Sequence, residues 1–242
     1  MEPIVSEFSQ VNDDSIEKEK AQIKNILAFE TAGTLLLIYG ALAAETNFGV
    51  ALVYFIGLLV CSRLSKGYFN PICTLIGYID GSIPQKKAIY YVGAQTFASL
   101  IAGMLLMPMF AYKKTLPYFE VLPSHQVFGT LMSEIAGSII FFIFIQIQTA
   151  ENTKITTTEV QSAIFVSVIY FVARQYTATM GNSLFNPSAA FGLQLFYGIY
   201  YGKWDQMINL LIYIIGPWVG ALLAITFFWK IYTPTLVSKQ SN

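Results

Sequence analysis

Apolar residues in this chain fall into blocks of roughly 17–25 positions, the length that crosses the hydrocarbon of a bilayer. Polar stretches separate the blocks, 55% of all residues are hydrophobic and only 12% are charged. A soluble domain carries about 25% charged residues, so the pattern predicts a polytopic, all-α membrane protein with the lipid bilayer as its surroundings. The net charge is zero, which argues against nucleic acid as a partner. Cys61 and Cys73 flank one loop and have no metal-ligand spacing, so neither a metal site nor a disulfide is expected. No nucleophile–base pair, phosphate loop or metal cluster is visible, which predicts no enzyme activity and no cofactor. The first apolar run starts near Ile26, after an acidic, polar stretch unlike a cleavable signal peptide.

Six spans are expected, at about 26–44, 48–64, 88–110, 127–149, 160–179 and 207–231. Residues 1–25 read as a polar N-terminal tail with a short helix near its end, and 232–242 as a C-terminal tail. The intervening 26–231 form one domain of two halves, 26–110 and 127–231. Glu30-x-x-Gly33-Thr34 in the first span matches Glu134-x-x-Gly137-Ser138 in the fourth. Three spans per half make the halves enter the membrane in opposite senses, an inverted repeat. With the N-terminus inside, ten Lys and Arg residues lie in inner segments and three, Lys113, Lys114 and Lys203, in outer ones. This bias predicts both termini on the cytoplasmic or equivalent inner side.

Two short, broken apolar stretches stand in matching places of the halves, Ser65–Thr74 and Asn182–Gly192. Each contains an Asn-Pro step, Asn70-Pro71 and Asn186-Pro187, 116 positions apart. Pro suits the first turn of a helix and Asn is a strong N-cap. Each stretch therefore reads as a re-entrant half-helix. Irregular backbone at membrane depth is tolerated only within protein or along a cavity, which makes the matched pair a pathway candidate.

With these motifs in place the chain resembles the aquaporin, or major intrinsic protein, family over nearly everything past residue 25. Ser65–Thr74 resembles Ser-Gly-x-His-x-Asn-Pro-Ala-Val-Thr, and Asn186–Gly192 resembles Asn-Pro-Ala-Arg-Ser-Phe-Gly. Glu30, Glu134, Gln95 and the Pro217-Gly220-Ala221 cluster fall where the family has its span markers. The resemblance implies six transmembrane helices plus two half-helices. Three departures stand out. Ile72 and Ser188 replace the alanines of the two triplets, Tyr68 replaces the family His, and Ala189 replaces the constriction Arg.

Facing half-helix N-termini each bring roughly half a positive charge to the bilayer centre. Asn70 and Asn186 are expected to donate from both side-chain amides to one solute oxygen, admitting neutral hydrogen-bonding solutes and opposing cations. Aquaporin-type pores are the familiar instance of this selectivity. Family counting places the constriction at Val50, Arg174, Ser183 and Ala189. Arg174 lies within the fifth span, and two readings stay open: a guanidinium moved from the half-helix to the facing span, or an Arg snorkelling or structurally paired. For Glu30 and Glu134 the family implies scaffolds that accept loop N–H groups, favoured over proton relay. Tyr68 either narrows the inner mouth or joins the interfacial aromatic belt, and Cys73 is either packed core or pore-adjacent. Phe141, Phe142 and Phe144 are expected to face lipid or a neighbouring subunit, and His125 to lie solvated in a loop.

The resulting expectation is a passive channel for water or small neutral solutes such as glycerol, urea, ammonia or peroxide. A homotetramer or larger membrane assembly is implied by the resemblance alone. The alternative is a non-conducting accessory subunit of a membrane complex that keeps the fold with its pore closed.

Overall fold

The computed structural model describes residues 2–44, 46–110, 122–178 and 184–240. Helix α1 runs unbroken over Glu2–Ala43. Its 42 residues make it about 63 Å long at 1.5 Å per residue, twice the hydrocarbon thickness, so its first half projects beyond the apolar layer. The polar stretch expected as a tail with a short helix is thus continuous with the first span. Lys86 donates to Glu19 at 2.8 Å and Lys87 to Gln22 at 2.5 Å, tying this projection to the start of the helix Gln85–Phe110.

The other long helices are α2 (Asn47–Ser65), α4 (Gln85–Phe110), α5 (Ser124–Thr149), α6 (Glu159–Thr177) and α8 (Leu210–Phe227). A 3-10 turn, Asp205–Asn209, leads into α8; a π turn, Phe228–Tyr232, and α9 (Thr233–Gln240) follow it. Between the long helices lie the two half-helices, α3 (Pro71–Ile79) and α7 (Pro187–Tyr201). His125 sits exposed in the first turn of α5 rather than in a loop.

By length and composition, five of the described helical segments can cross a membrane: Asp14–Ala43, Asn47–Ser65, Gln85–Leu106, Ser124–Thr149 and Asp205–Leu236. Helix α6 is as long as α2, 19 residues, but is more polar, and it falls outside that group. Glu159, Gln161, Arg174 and Gln175 carry most of that polarity. Ile164, Val168, Val172 and Tyr176 form its exposed stripe, four residues apart, while Ser167, Arg174 and Thr177 are buried. A capping box between Thr158 and Gln161 starts it. Gln161 and Gln175 are exposed as well, so the polar residues of α6 lie on both sides, and Ser167, Arg174 and Thr177 share the buried side with Ala163, Val166, Tyr170 and Ala173.

The packing repeats between the halves. Helix α1 packs on α2 and α4, and α5 packs on α6 and α8; α2 meets α6, α3 meets α7, and each half-helix also contacts the closing helix of the other half. Glycines allow the closest approaches. A Cβ on Gly192 would run into the Ser99 carbonyl, and one on Gly220 would lie 2.5 Å from the Ile135 carbonyl oxygen. Small residues at helix crossings are how membrane helices gain packing contact.

Phe141 and Phe142 are buried in the core and only Phe144 is exposed. This corrects the expectation that all three face lipid. Adjacent residues point about 100° apart on a helix, so a run of aromatics cannot present a single face.

Candidate conduction pathway

Each half-helix begins as its sequence requires. Asn70 caps α3 by accepting from the Ile72 N–H at 3.0 Å, with Pro71 in the first turn. Asn186 caps α7 by accepting from the Ala189 N–H at 3.3 Å and the Ser188 hydroxyl at 2.9 Å, with Pro187 next. Ser188, an alanine in the family triplet, therefore adds a hydroxyl donor to its own cap.

The two caps are joined crosswise. Asn70 Nδ2 donates to the Phe185 carbonyl at 2.7 Å, and Asn186 Nδ2 donates to the Phe69 carbonyl at 2.8 Å. The half-helix N-termini thus meet, with their positive dipole ends together. One N–H of each amide is engaged in this way. The second N–H of each amide remains.

The residues before the caps carry backbone strain. Phe69 and Phe185 both have φ of 50°, a left-handed conformation that bulky residues seldom adopt. Both are almost fully buried. A Cβ on Gly33 would fall inside the Phe69 ring, and one on Gly137 would lie 2.5 Å from the Phe185 ring. The Glu-x-x-Gly motif of each half therefore provides a notch for the aromatic ring of its own loop.

The same motif supplies a carboxylate. Glu30 is fully buried and accepts four hydrogen bonds: from the Ser65 hydroxyl (2.9 Å), the Tyr68 N–H (3.1 Å), the Phe69 N–H (2.8 Å) and the Gln95 amide (2.9 Å). Gln95 also donates to Thr74 Oγ1 on α3 at 3.0 Å. Glu134 is buried in the second half, beside Phe185 and Asn186 in a small cavity. A buried charge is tolerated when it is hydrogen-bonded throughout, and for Glu30 those bonds fix the strained loop.

On the side where α1 projects lies a cavity of about 650 Å³. Tyr68, Cys73, Tyr54, Tyr91, Gln148 and Val166 are among its walls, and Arg63, Lys66, Lys87 and Lys154 stand with Glu151 and Glu159 around it. Arg63 pairs with Glu159, linking α2 to α6. Tyr68 is buried, its ring 5.2 Å from that of Tyr91 and its hydroxyl over Gly77. Cys73 is buried and borders the same cavity.

Of the four residues expected at the constriction, Val50, Arg174 and Ala189 are all buried, and Ser183 lies outside the described residues. Arg174 is only 3% exposed, so its guanidinium does not snorkel to the surface of the subunit. Its Nε donates to Asn47 Oδ1 at 3.2 Å, one turn before Val50, and its guanidinium carbon lies 5.8 Å from the Tyr170 ring centre. Asn47 in turn donates to Gln175 at 3.2 Å.

The sequence motifs assign no role to Asn47, Tyr54, Phe69, Tyr170 and Phe185. Two pairs among them share a signal that the Asn-Pro steps already contain. Tyr54 and Tyr170, and likewise Phe69 and Phe185, are 116 positions apart, the same offset as Asn70 and Asn186.

Comparison with known proteins gives a consistent result. The family model described as Major intrinsic protein matches residues 16–228. Among relatives, the chain is 27% identical over 181 residues to Aquaporin-2 of Botryotinia fuckeliana, covering 75% of this chain and 45% of the relative. It is 26% identical over 196 residues to a probable aquaporin-3 of Gibberella zeae, covering 78% of this chain and 64% of the relative. The chain thus spans about half to two thirds of the length of these relatives. Among solved structures, the aquaglyceroporin from Plasmodium falciparum superposes with a TM-score of 0.73 at 20% identity, covering 88% of this chain and 98% of that one.

Proposed function

The chain belongs to the major intrinsic protein family, and from that premise we propose that it is a passive transmembrane channel for water and small neutral solutes. The observation that carries this reading is the crosswise pairing of Asn70 and Asn186 with the Phe185 and Phe69 carbonyls. It fixes two helix N-termini end to end beside an inner vestibule and leaves one amide N–H on each Asn for a passing oxygen. A solute oxygen held there accepts from the amides, and a cation meets the positive ends of two helices. The protein needs no reaction chemistry for this task, and we read it as a channel and not an enzyme.

The outer constriction in this reading is Arg174 with Val50, Ala189 and Ser183. Its burial and its hydrogen bond to Asn47 support a role facing the lumen. The charge that the family carries on the half-helix is supplied here from α6. Val50 and Ala189 leave a small-residue wall, which suits glycerol, urea, ammonia or peroxide as well as water. Glu30 and Glu134 act as scaffold carboxylates, and Tyr68 narrows the inner mouth. Homotetrameric assembly is read from the family, and the apolar outward stripes of α2 and α6 suit contact with lipid or a neighbouring copy. The excess of Lys and Arg in inner segments supports cytoplasmic termini.

Reconstituted into liposomes, the protein is expected to raise osmotic water flux and glycerol swelling above protein-free lipid, without dependence on any ion gradient. Well-folded protein that adds no flux of either solute would refute the channel and leave an accessory subunit.

A further inference from the structure

We propose that Tyr54 and Tyr170 form an aromatic gate across the lumen, with Tyr54 as its moving leaf and Tyr170 as its fixed one. This rests on the channel reading above and concerns how the same passage is closed.

The two residues are related by the repeat and meet face to edge, with ring centres 4.9 Å apart at 63°. Both are buried, 3% and 1% exposed. Their position is that of the half-helix junction. Tyr54 packs edge-on against Phe69 (6.2 Å), and Tyr170 against Phe185 (6.4 Å), the residues that precede the two capping asparagines. Phe141 closes the group, 6.4 Å from Tyr54 and 5.2 Å from Tyr170. The inner vestibule reaches Tyr54 and Val166, one turn from Tyr170, but does not include Tyr170. A solute coming from the inner side and bound for the free amide N–H groups therefore meets the Tyr54 ring.

The leaves are held unequally. Tyr170 donates its hydroxyl to the Leu184 carbonyl at 3.3 Å, and the Arg174 guanidinium stands 5.8 Å from its ring centre. Its position is set by the second loop and by the constriction Arg. The Tyr54 hydroxyl makes no hydrogen bond among the described residues, and its ring is held by packing in the core, three aromatic rings among its neighbours. Beside it lies the vestibule of about 650 Å³, with room for a rotated phenol. A ring held only by packing can change rotamer, whereas one that must also break a hydrogen bond to a loop carbonyl is slower to leave. Opening then consists of Tyr54 swinging toward the vestibule, and Arg174 couples the constriction to the leaf that stays.

The test is stopped-flow shrinkage and swelling of liposomes holding wild type, Y54A, Y54F, Y170F and, as a lipid-facing control, F144A. Loss of the moving ring in Y54A should raise water flux by about three- to tenfold, the shift that removal of a closed-state contact allows. Glycerol flux should rise by more. Y54F keeps the ring and should stay well below Y54A. Y170F removes only the hydroxyl that anchors the fixed leaf and should raise flux by a smaller factor. It decides the matter alone if Y54A does not fold. Wild-type conduction unchanged in both Y54A and Y170F would overturn the gate and leave the channel intact. Flux at the level of bare lipid in wild type and every folded variant would overturn both.

Discussion

Asn70 on the first half-helix donates to the backbone carbonyl of Phe185 on the second loop at 2.7 Å, across the junction of the two repeats. Its counterpart Asn186 returns the bond to Phe69. Each asparagine therefore serves two structures at once: its oxygen caps its own helix and its nitrogen holds the opposite loop.

Replacing either asparagine should consequently cost more than a cap. Asn70→Ala loses a cap worth about 0.5–2 kcal/mol and a crossing hydrogen bond worth about 1 kcal/mol. Thermal unfolding in detergent should show a similar loss of stability for N70A and N186A, and flux should fall in both. A stable N70A with wild-type flux would separate the pairing from transport.

Gly33 and Gly137 should tolerate no side chain while their phenylalanines remain. Gly33→Ala drives a methyl group into the Phe69 ring, and overpacking of this kind costs about 1–3 kcal/mol. Adding Phe69→Leu should recover part of that loss in a double-mutant cycle, because the clash is between those two groups. G137A with Phe185→Leu should behave alike. Additive losses in either cycle would mean that the notch and the ring do not compete for the same space.

Glu30→Gln preserves size but places an NH₂ group where only acceptors are satisfied. Four donors converge on the two Glu30 oxygens. The amide leaves two of them facing a donor, at about 1–3 kcal/mol for each unpaired buried group. E30Q should therefore lower thermal stability more than Gln95→Leu, which removes one of the four donors to Glu30 and the bond to Thr74. An E30Q protein as stable as wild type would show that the carboxylate is not what holds the loop.

On the proposed reading of Arg174 as a constriction residue, Arg174→Ala should raise glycerol flux relative to water flux, because it removes a large buried side chain and its hydrogen bond to Asn47. Arg174→Lys keeps the charge but not the planar fork and should fall between wild type and R174A. Measured by swelling with each solute in turn, an unchanged ratio in R174A would remove Arg174 from the selectivity-determining site.

Much of the architecture is legible in the sequence because membrane burial and repetition both write to the linear code. Block length gives the spans, and the offset between Asn70 and Asn186 gives the pairing of halves. Side-chain phase is far less legible. Phe141, Phe142 and Phe144 differ in burial, yet lipid and core are both apolar, so composition cannot say which way each ring turns. Helix α6 shows the converse, since exposed Gln161 and Gln175 together with buried Arg174 dilute its hydropathy although it packs among the long helices. Among site residues, the asparagines and Glu30 carry local motifs that fix their surroundings. Asn47 carries none; its role arises only when α2 and α6 pack. The strained φ of Phe69 and Phe185 is equally silent, because neither is a glycine that would advertise a left-handed turn.

The most direct measurement is osmotic shrinkage of liposomes carrying the full chain, with protein-free liposomes and folded N186A protein beside it. Wild type should shrink faster than lipid alone, and N186A should lose most of that gain. Wild-type shrinkage no faster than lipid, or flux fully retained in N186A, would contradict a passage formed where the two half-helices meet.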